Sequence, residues 1–333
     1  MQIISDPNQI DFKKLESFVS SHPNKNFFQS TYAYKFFSEV DCYDPILLVA
    51  ENNGEYIGSL ICAVINEGNG IKGYFSNRVI ILGGPLIRDS SKEIAVSILT
   101  IFKTISKKKT IYSQFRNLFD AENIHEIFRK QEWVYEDHLN ILIDLNKSED
   151  ELWQDVHSKR RNEIRRAERE GTKFKVLLDN KGLPETYSIL KEVYNRAKLP
   201  LPDYKFFETA CDLLSPEHFK VFIALNENKI IGTMYTLCYN GIIYDWYAGS
   251  YQEYYNKYPN DLIPWKVFLW GKENGYHTFD FGGAGKPNIP YGVRDYKKKF
   301  GGVFVNFGRY EQIHKPQLYF IAKLGFKIYQ KLK

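Results

Sequence analysis

Residues 47–65 read LLVAENNGEYIGSLICAVI, and residues 222–239 read FIALNENKIIGTMYTLCY. In each stretch an apolar run ends in an Asn-containing turn and a second apolar run follows, which is typical of a β-hairpin. Gly58 and Gly232 occupy the same place in the second strand of the two hairpins. Because the repeat is so long, it indicates a duplicated domain rather than a solenoid of short units.

Both halves continue with the same order of elements: a strand, a glycine-containing loop, a helix and another strand. They are predicted over 78–82, 91–106 and 110–115 in the first half, and over 242–247, 262–274 and 277–281 in the second. A mostly antiparallel set of strands followed by one strand–helix–strand crossover is the element order of the GNAT fold. The predicted fold class is therefore α/β (α+β), with tandem GNAT-like domains, each a mixed, mostly antiparallel sheet with flanking helices.

A charged segment separates the two halves. Ser148 and Glu151 form a capping-box pattern, and Gly171 suits the position just after a helix end, so a basic linking helix is predicted over 149–170. Arginines recur every four residues and form one stripe on this helix. They are Arg161, Arg165 and Arg169. We place the domain boundary near residue 146, which gives domains over 1–146 and 147–333.

The bulk composition is that of an ordinary globular protein, with 44% hydrophobic and 26% charged residues in a chain of 333. Aromatic residues make up 16% of the chain, which favours well-filled cores and aromatic-lined clefts. The net charge of +5 favours an anionic partner such as a phosphate-bearing substrate, RNA or a membrane surface. A lysine-rich soluble surface is the simpler explanation of the same charge.

Membrane-spanning, secreted and metal-binding classes find no support in the sequence. No run approaches the roughly 18 apolar residues that span a bilayer, and residues 1–6 lack the basic and apolar regions of a signal peptide. The four cysteines are scattered without a CxxC pattern, and the seven histidines show no paired ligand spacing, so no metal site is predicted. We therefore expect a protein of the reducing cytoplasm.

A glycine-rich segment, DFGGAG (Asp280–Gly285), ends the last predicted strand. Glycine permits a positive φ angle and the close approach of a ligand to the backbone. The segment is not a GxGxxG turn, because Pro287 and Pro290 prevent an immediate helix, and it is not a P-loop, because GxxxxGK[ST] is absent. We expect it to line a site, since ligand sites gather at the carboxyl ends of strands, with a tight loop as the alternative.

A cationic segment, YGVRDYKKKFGG (Tyr291–Gly302), comes next. Four of the six residues from Arg294 to Lys299 are cationic, and aromatic residues and glycines flank them. Such a run is usually a solvated surface. Its position between two glycine-rich loops favours a phosphate or oxyanion site, in which a lysine acts as a point charge.

Taken together, these motifs resemble the FemAB family and its relatives in the GNAT superfamily. The stretches that carry the resemblance are KRRNEIRRAEREG (Lys159–Gly171), YDWYAGSYQEYYNKYPNDLIPWKVFLWGKENGYHTFDFGG (Tyr244–Gly283), YGVRDYKKKFGG and, more weakly, FFQSTYAYKFF (Phe27–Phe37). The resemblance covers nearly the whole chain. It implies tandem GNAT-like domains and the transfer of an amino acid from aminoacyl-tRNA to an amine on a peptidoglycan precursor's stem peptide.

The resemblance also implies roles for single residues. The family pattern F/Y-K-x-x-F-G places Lys297 on a cationic lysine that stabilises the negative charge of a tetrahedral transition state. Tyr296, Phe300 and Gly301 fill the rest of the pattern. In this family basic side chains hold the phosphates of the acceptor. The candidates for that role here are Lys35, Arg161, Arg165 and Arg294.

The sequence departs from its relatives in two ways. The acetyl-CoA signature of ordinary GNAT enzymes, Q/R-x-x-G-x-G/A, is supplied neither by Gly83–Glu93 nor by Ala248–Asp261. The second half also has no long coiled-coil insertion, an arm that only some family members carry. The co-substrate is therefore either an aminoacyl-tRNA or an acyl-CoA, and no other cofactor is expected.

A hypothesis for the chemistry follows from these residues. No Ser-His-Asp or Cys-His catalytic set is recognisable in the sequence. We therefore expect direct attack of an amine on the acyl carbon without a covalent enzyme intermediate. Lys297 is the expected oxyanion cation, and Asp280 orients Lys297, accepts a proton, or only caps its loop. Other side chains and glycines are expected to line the substrate cleft, although aromatic residues are more often core. They are Tyr291, Gly282, Gly283, Tyr247 and Trp246.

Three functions remain open at this point. The first is aminoacyl transfer to a peptidoglycan precursor, and the second is a CoA-dependent N-acyltransferase acting on an amino sugar or polysaccharide intermediate. The third is a non-catalytic RNA-binding module, which ranks last because no RNP or KH pattern is present. A monomer is expected, with aminoacyl-tRNA and a phosphate-bearing cell-wall precursor as partners.

The C-terminal segment, Gln317–Lys333, is amphipathic and basic. One face carries Lys323, Lys327 and Lys331, and another carries Leu324, Ile328 and Leu332. Such a helix either packs on its own domain or lies on an anionic membrane that carries a lipid-linked substrate. In the second case the protein is expected to sit peripherally at the inner face of the membrane.

Overall fold

Both hairpins of the repeat are formed in the computed structural model. It describes residues 1–66, 77–178 and 180–332, with side chains as far as residue 325 in the C-terminal helix. β2 (Tyr43–Asn52) pairs antiparallel with β3 (Glu55–Ile65), and β10 (Phe219–Asn226) pairs antiparallel with β11 (Lys229–Tyr239). The duplicated α/β fold predicted from the sequence is therefore confirmed.

The equivalence of Gly58 and Gly232 also holds in detail. Each glycine pairs with an alanine of the facing strand and lies next to a β-bulge at the same position of its hairpin. A Cβ atom on Gly58 would lie 2.7 Å from Ile94, and one on Gly232 would lie 2.8 Å from Pro259. Both glycines are thus required because a helix crosses the second hairpin strand at close range.

Residues 1–138 and 306–333 form the first unit. Its sheet has the order β1-β2-β3-β4-β6-β15-β7, and β5 pairs with β3. The remaining strands are β1 (Gln2–Ile4), β4 (Arg78–Leu82), β5 (Leu86–Ile87), β6 (Tyr112–Arg116), β7 (Val134–Glu136) and β15 (Arg309–Ile313). The helices are α1 (Phe12–Ser21), α2 (Thr31–Glu39), α3 (Lys92–Lys109), α4 (Glu122–Lys130) and the C-terminal α11 (Pro316–Leu332).

Residues 139–305 form the second unit. Its sheet has the order β14-β8-β13-β12-β11-β10-β9. The remaining strands are β8 (Leu139–Asp144), β9 (Lys173–Leu177), β12 (Ile242–Ser250), β13 (Thr278–Gly283) and β14 (Val303–Asn306). The helices are α5 (Glu149–Asp155), α6 (Ser158–Arg169), α7 (Leu183–Arg196), α8 (Tyr204–Leu214), α9 (Pro259–Glu273) and α10 (Gly292–Lys298).

The units divide the chain differently from the boundary predicted near residue 146. β8 precedes that position, yet it pairs with β13 in the second sheet. The end of the chain, predicted to belong wholly to the second domain, contributes β15, which pairs with β6 and β7 of the first sheet. Strand pairing over such long sequence distances leaves no local signal in the sequence.

Two helices replace the single basic helix predicted over 149–170. The capping box of Ser148 and Glu151 starts α5 as predicted, and Gly171, at a φ of +81°, follows the end of α6. The chain breaks between them because Val156 is extended and buried, and the side chain of His157 accepts a hydrogen bond from the Lys159 amide at the start of α6. The basic stripe therefore belongs to α6 alone.

Aromatic side chains fill both cores, as the composition indicates. In the first unit the Phe128 and Tyr310 rings stack with centroids 4.0 Å apart, and further rings surround them. These are Phe102, Phe115 and Trp133. The core of the second unit is built around Phe268, which lies edge-on to Phe279 at 5.0 Å.

The parallel strands β12 and β13 fix the place of the site in the second unit. They pair at only three positions, and the last of these joins Tyr244 and Asp280. Beyond it Trp246 has no partner in the β11–β12 register, which makes it the extra residue of a bulge. On β13, Gly282 takes a φ of +69°. Backbone pairing thus ends where the two strands carry their most polar residues.

Candidate active site

Lys297 lies in the last turn of the short helix α10, and its side chain is half-buried at the end of β13. Its ammonium group donates hydrogen bonds to the carbonyl oxygens of Phe281, at 2.5 Å, and Gly283, at 3.1 Å. These two carbonyls flank Gly282, whose positive φ angle is readily adopted only by glycine. Since an ammonium has three N–H donors, one remains for another acceptor.

Two carboxylates share the site with this ammonium. Asp280 is 4% exposed and accepts hydrogen bonds from the Gly282 amide at 2.7 Å and from Asn140 Nδ2 at 3.5 Å. Asp245, on β12, is half-buried and accepts no hydrogen bond from any residue that the structure describes. Asp280 is therefore fixed by its neighbours, whereas the oxygens of Asp245 remain available.

Burial makes all three groups easier to neutralise. It raises the pKa of Asp245 and the pKa of Asp280 to about 6, and the ammonium of Lys297 opposes both increases. Burial also lowers the pKa of Lys297, against the pull of Asp245 and Asp280. A carboxylate that titrates this close to neutral pH is suited to accept a proton during a reaction.

Trp246 and Tyr247 connect the site to the aromatic core. The Trp246 ring lies 5.4 Å from Phe206, and the Tyr247 ring lies 4.9 Å from Phe207 and 5.7 Å from Tyr194. Both residues are only half-buried. They therefore pack against the core, as the general rule for aromatic residues predicts, and keep part of their surface beside Asp245.

Tyr194 of α7 is a site residue that the sequence does not reveal. Burial raises the pKa of its phenol, and the negative charge of Asp245 raises it further, with a smaller contribution from Tyr291. The hydroxyl therefore stays protonated and can donate a hydrogen bond. Tyr291, just before α10, is 41% exposed and lies against Gly285, where a Cβ atom would be 2.9 Å from its ring.

Arg294 fastens the loop between β13 and α10. Its guanidinium donates to the carbonyl oxygens of Lys286 at 2.6 Å and Ile289 at 2.7 Å, and more weakly to that of Ala284 at 3.4 Å. The side chain thus gives the glycine-rich loop a fixed shape beside Lys297. Its phosphate-binding role remains a prediction.

The other predicted phosphate ligands lie on α6 and, in the first unit, on α2. Arg161 donates to the carbonyl oxygens of Trp153, at 3.1 Å, and Gln154, at 3.2 Å, and so satisfies the last turn of α5. Arg165 lies over the Trp153 ring, 5.1 Å from its centroid. Lys35 is exposed on α2 of the first unit. The structure thus brings together Lys297, Asp280, Gly282, Gly283, Trp246 and Tyr247.

Asp245 is the most important residue that sequence reasoning missed. A signal for it was present, because a charged residue stands inside the otherwise apolar and aromatic run IIYDWYAG (Ile242–Gly249). A carboxylate in a buried strand is rarely tolerated without a partner or a function. Among the described residues, no group of three or more His, Cys, Asp or Glu side chains could hold a metal ion.

Comparisons with known proteins identify the region that contains this site. Residues 158–298 match the sequence family described as "Acetyltransferase (GNAT) domain", which covers the carboxylates and Lys297. No curated protein gives a significant sequence match. None of the described helices is both long and apolar enough to cross a membrane.

Solved structures match almost the entire chain. FemX is similar with a TM-score of 0.75 and 16% identity, over 96% of this chain and 99% of that chain. L-PGS from Bacillus licheniformis has a TM-score of 0.59 and 17% identity, over 96% of each chain. A tandem GNAT protein from the clavulanic acid biosynthesis pathway has a TM-score of 0.61 and 7% identity, over 94% of this chain and 98% of that chain. This chain therefore has a tandem GNAT-like fold similar to that of FemX, and residues 158–298 match a GNAT acetyltransferase domain by sequence.

Proposed function

We propose that the protein transfers an aminoacyl group from aminoacyl-tRNA to an amine of a peptidoglycan precursor. The observation that carries the proposal is the grouping of Lys297 with Asp245 and Asp280 where β12 and β13 stop pairing. The FemX-like fold of the whole chain and the FemAB-like motifs around Lys297 support the choice of donor and acceptor.

In this reaction the acceptor nitrogen attacks the ester carbonyl carbon of the donor. A C–N bond forms, and the carbonyl oxygen becomes an oxyanion. The remaining N–H of Lys297 is the donor for that oxyanion, and the carbonyls of Phe281 and Gly283 hold the ammonium in place beforehand. One such preorganised donor contributes about 3–4 kcal/mol to the stabilisation of the transition state.

Asp245 is the proposed proton acceptor. The nitrogen loses its proton to the carboxylate as the C–N bond forms. The bond between the acyl carbon and the ribose oxygen then breaks. The leaving oxygen takes a proton, which the protonated Asp245 can return, so the enzyme ends in its starting state. Asp280 is assigned a supporting role, because hydrogen bonds from Gly282 and Asn140 to its Oδ1 hold the carboxylate in place.

The charges of the site favour an amine as the acceptor. With both carboxylates ionised, Asp245, Asp280 and Lys297 together carry one negative charge. Such a site attracts the ammonium form of an acceptor, which first releases one proton to solvent through a carboxylate; the resulting amine then attacks and gives its second proton to Asp245. A carboxylate or phosphate as the attacking group would be repelled instead.

A second candidate is a CoA-dependent N-acyltransferase that acts on an amino sugar. The description of the matching family as an acetyltransferase favours it. The absence of the Q/R-x-x-G-x-G/A signature from the sequence speaks against it. Both candidates use an amine attack through an oxyanion; they differ in the acceptor, in the acyl group and in the leaving group.

A transfer assay separates the two candidates. The purified protein is incubated with radiolabelled aminoacyl-tRNA and a UDP-linked muropeptide, and in parallel with radiolabelled acetyl-CoA and an amino sugar. We expect label on the muropeptide amine from the first donor and none from the second. Label only from acetyl-CoA would replace the proposal with the second candidate, and transfer from neither donor would refute both.

A further inference from the structure

Arg160 is a buried cation of α6 that the proposed reaction does not use. It is 8% exposed, whereas the arginines of the predicted stripe lie on other faces of the helix. Its guanidinium pairs with Asp261 in the first turn of α9 and with Glu163 at 3.3 Å. Burial of a charge is costly unless the charge is well paired, so a buried arginine at this position needs an explanation.

The same guanidinium stacks on two rings that bracket Lys297 in the sequence. It lies 4.8 Å from the centroid of the Tyr296 ring and 5.0 Å from that of the Phe300 ring. The two rings are edge-on to each other at 5.4 Å. Arg160 on α6 therefore pairs by charge with Asp261 of α9. By cation–π contacts it also holds the two rings that stand before and after Lys297 in the sequence.

Further contacts tie the same helices together. The Tyr296 hydroxyl donates to the carbonyl oxygen of Asn260 at 2.5 Å, in the first turn of α9. Just after the end of α10, the carbonyl oxygen of Lys299 accepts from the His157 amide at 2.9 Å, at the start of α6. The Phe300 ring packs against Phe281, whose carbonyl oxygen holds Lys297.

The helix that carries Lys297 cannot fix its own orientation. α10 has seven residues, and isolated helices shorter than roughly 12 residues are marginal in water. Tyr296 lies in α10, one residue before Lys297 and turned from it by about 100°. Phe300 lies in the turn that follows α10, where its amide donates to the carbonyl oxygen of Lys297 at 3.0 Å. Holding the rings of Tyr296 and Phe300 therefore sets the direction in which the Lys297 side chain leaves the helix.

We propose that Arg160 is a positioning residue of the acyl-transfer site: its buried guanidinium locks Tyr296 and Phe300 and thereby aims Lys297 at the end of β13. The proposal rests on the proposed function only for its kinetic consequence. The position of Lys297 itself can be measured without any substrate.

Chemical labelling of the Lys297 amine tests the proposal directly. The intact protein is treated at neutral pH with an amine-acylating reagent, and Lys297 is compared with Lys103 of the first unit by peptide mass spectrometry. We expect slow labelling of Lys297 in the wild type and an increase of at least about tenfold in Arg160→Met, because the displaced amine loses its two carbonyl partners. Arg166→Met removes an exposed cation from the same helix and should leave the labelling unchanged.

The pH dependence of transfer gives a second readout that a merely structural residue would not move. Lys297 lowers the pKa of both carboxyls, so a displaced ammonium should shift the rise of kcat/KM with pH to higher pH. We expect this shift in Arg160→Met, and not in Arg166→Met. If the wild type transfers nothing, the proposed function fails, while the labelling still decides the role of Arg160.

A milder variant covers the case in which Arg160→Met does not fold. Tyr296→Leu removes the ring that stacks on Arg160 and the hydroxyl that bonds to Asn260 of α9, yet it leaves the pair of Arg160 and Asp261 intact. It should increase the labelling of Lys297 in the same direction. Unchanged labelling in a folded Arg160→Met or Tyr296→Leu protein would reduce Arg160 to a structural ion pair and overturn the proposal.

Discussion

The two units use the same strand–helix–strand crossover and end it in opposite ways. In the first unit the parallel strands β4 and β6 pair at five positions, and the Gly83 amide adds a further bond to the carbonyl oxygen of Arg116 at 3.0 Å. In the second unit β12 and β13 pair at three positions only. In the first unit the two parallel strands therefore stay hydrogen-bonded at the position where the strands of the second unit separate and carry charged groups.

Buried amides occupy this region of the first unit. Gln29 donates to the carbonyl oxygens of Ile61 at 2.8 Å and Leu82 at 2.9 Å, and accepts from the Ile61 amide at 2.9 Å. Asn26 donates to the carbonyl oxygen of Gly83 at 2.8 Å. The backbone groups next to the Gly-Gly-Pro turn are thus satisfied by neutral side chains of the unit itself.

The strand registers identify which residues correspond. Asp280 pairs with Tyr244, and its counterpart Gln114 pairs with Ile80. The next residue along the first strand of each pair is Asp245 in the second unit and the fully buried Ile81 in the first. The duplicated scaffold thus supports either a packed sheet or a site, and the difference lies in a few residues at the strand ends.

The largest expected effect is that of Lys297→Met on catalysis. Removing the oxyanion donor should reduce transfer by a hundredfold or more, while the melting temperature stays nearly unchanged. Lys298→Met, at the exposed neighbouring position, is the matched control and should keep the wild-type rate. If Lys297→Met loses activity only because the protein unfolds, the role of Lys297 is structural. The readout is the rate of label transfer beside thermal unfolding.

Asp245→Asn should reduce the rate by about a hundredfold, since general-base catalysis contributes roughly a hundredfold or more. Ile81→Val, at the corresponding position of the first unit, should leave the rate unchanged and lower the free energy of unfolding by about 1 kcal/mol. Urea unfolding and the transfer assay measure the two effects. The comparison of the units breaks down if Asp245→Asn keeps the wild-type rate.

Gln29→Ala tests the closed end of the first unit. It strips three hydrogen bonds from buried backbone groups of Ile61 and Leu82, so we expect a loss of about 2–3 kcal/mol in the free energy of unfolding. Transfer measured below the unfolding transition should be unaffected. A stability equal to that of the wild type would show that the amide is not what closes this sheet.

Asp280→Asn should increase the free energy of unfolding, whereas Gln29→Ala should lower it. The folded pKa of Asp280, about 6, lies above its ordinary value of 3.8, so ionisation opposes folding, and stability from this group is lost as the pH rises through about 6. The variant should therefore be more stable than the wild type at pH 7.5 by an amount on the order of 2 kcal/mol. The gain should shrink steadily below pH 6 in urea titrations, and a gain that does not vary with pH would contradict the assignment.

The smallest expected effect concerns the C-terminal helix. In the described part of α11, Phe320, Ile321 and Leu324 are exposed, at 69%, 52% and 49%. The side chains of Lys327, Ile328, Lys331 and Leu332, which belong to the predicted faces, lie outside the described residues. We propose a weak contact with an anionic bilayer, so deletion of residues 317–333 should reduce sedimentation with phosphatidylglycerol liposomes. Equal sedimentation of the full-length and truncated proteins would contradict the proposed contact of this helix with the bilayer.

The sequence predicts those parts of the molecule that depend on neighbours along the chain. The hairpins, the matching glycines Gly58 and Gly232, and the capping box of Ser148 follow from turn chemistry and periodicity, and the structure contains them all. Lys297 and Asp280 could be selected because a recognisable motif surrounds each of them.

Other features depend on contacts between distant parts of the chain. β15 enters the first sheet from the end of the sequence, and Asp245 meets Lys297 only after β12 and α10 have packed. Arg160 was indistinguishable from its neighbours in a run of cations, since only the position of Asp261 shows which arginine is buried. The sequence pattern of a helix predicts which side chains share one face of the helix. Which residues that face contacts depends on the tertiary fold.

The pH dependence of kcat/KM for transfer tests most directly whether charged groups at the end of β12 and β13 perform the reaction. With the pKa of Asp245 at about 6, the wild-type value should rise about tenfold per pH unit below that point and level off above it. Asp245→Asn should remain low across the same range. A wild-type value that is constant from pH 5 to 7 would contradict the account, since no carboxyl of this site would then have to lose its proton.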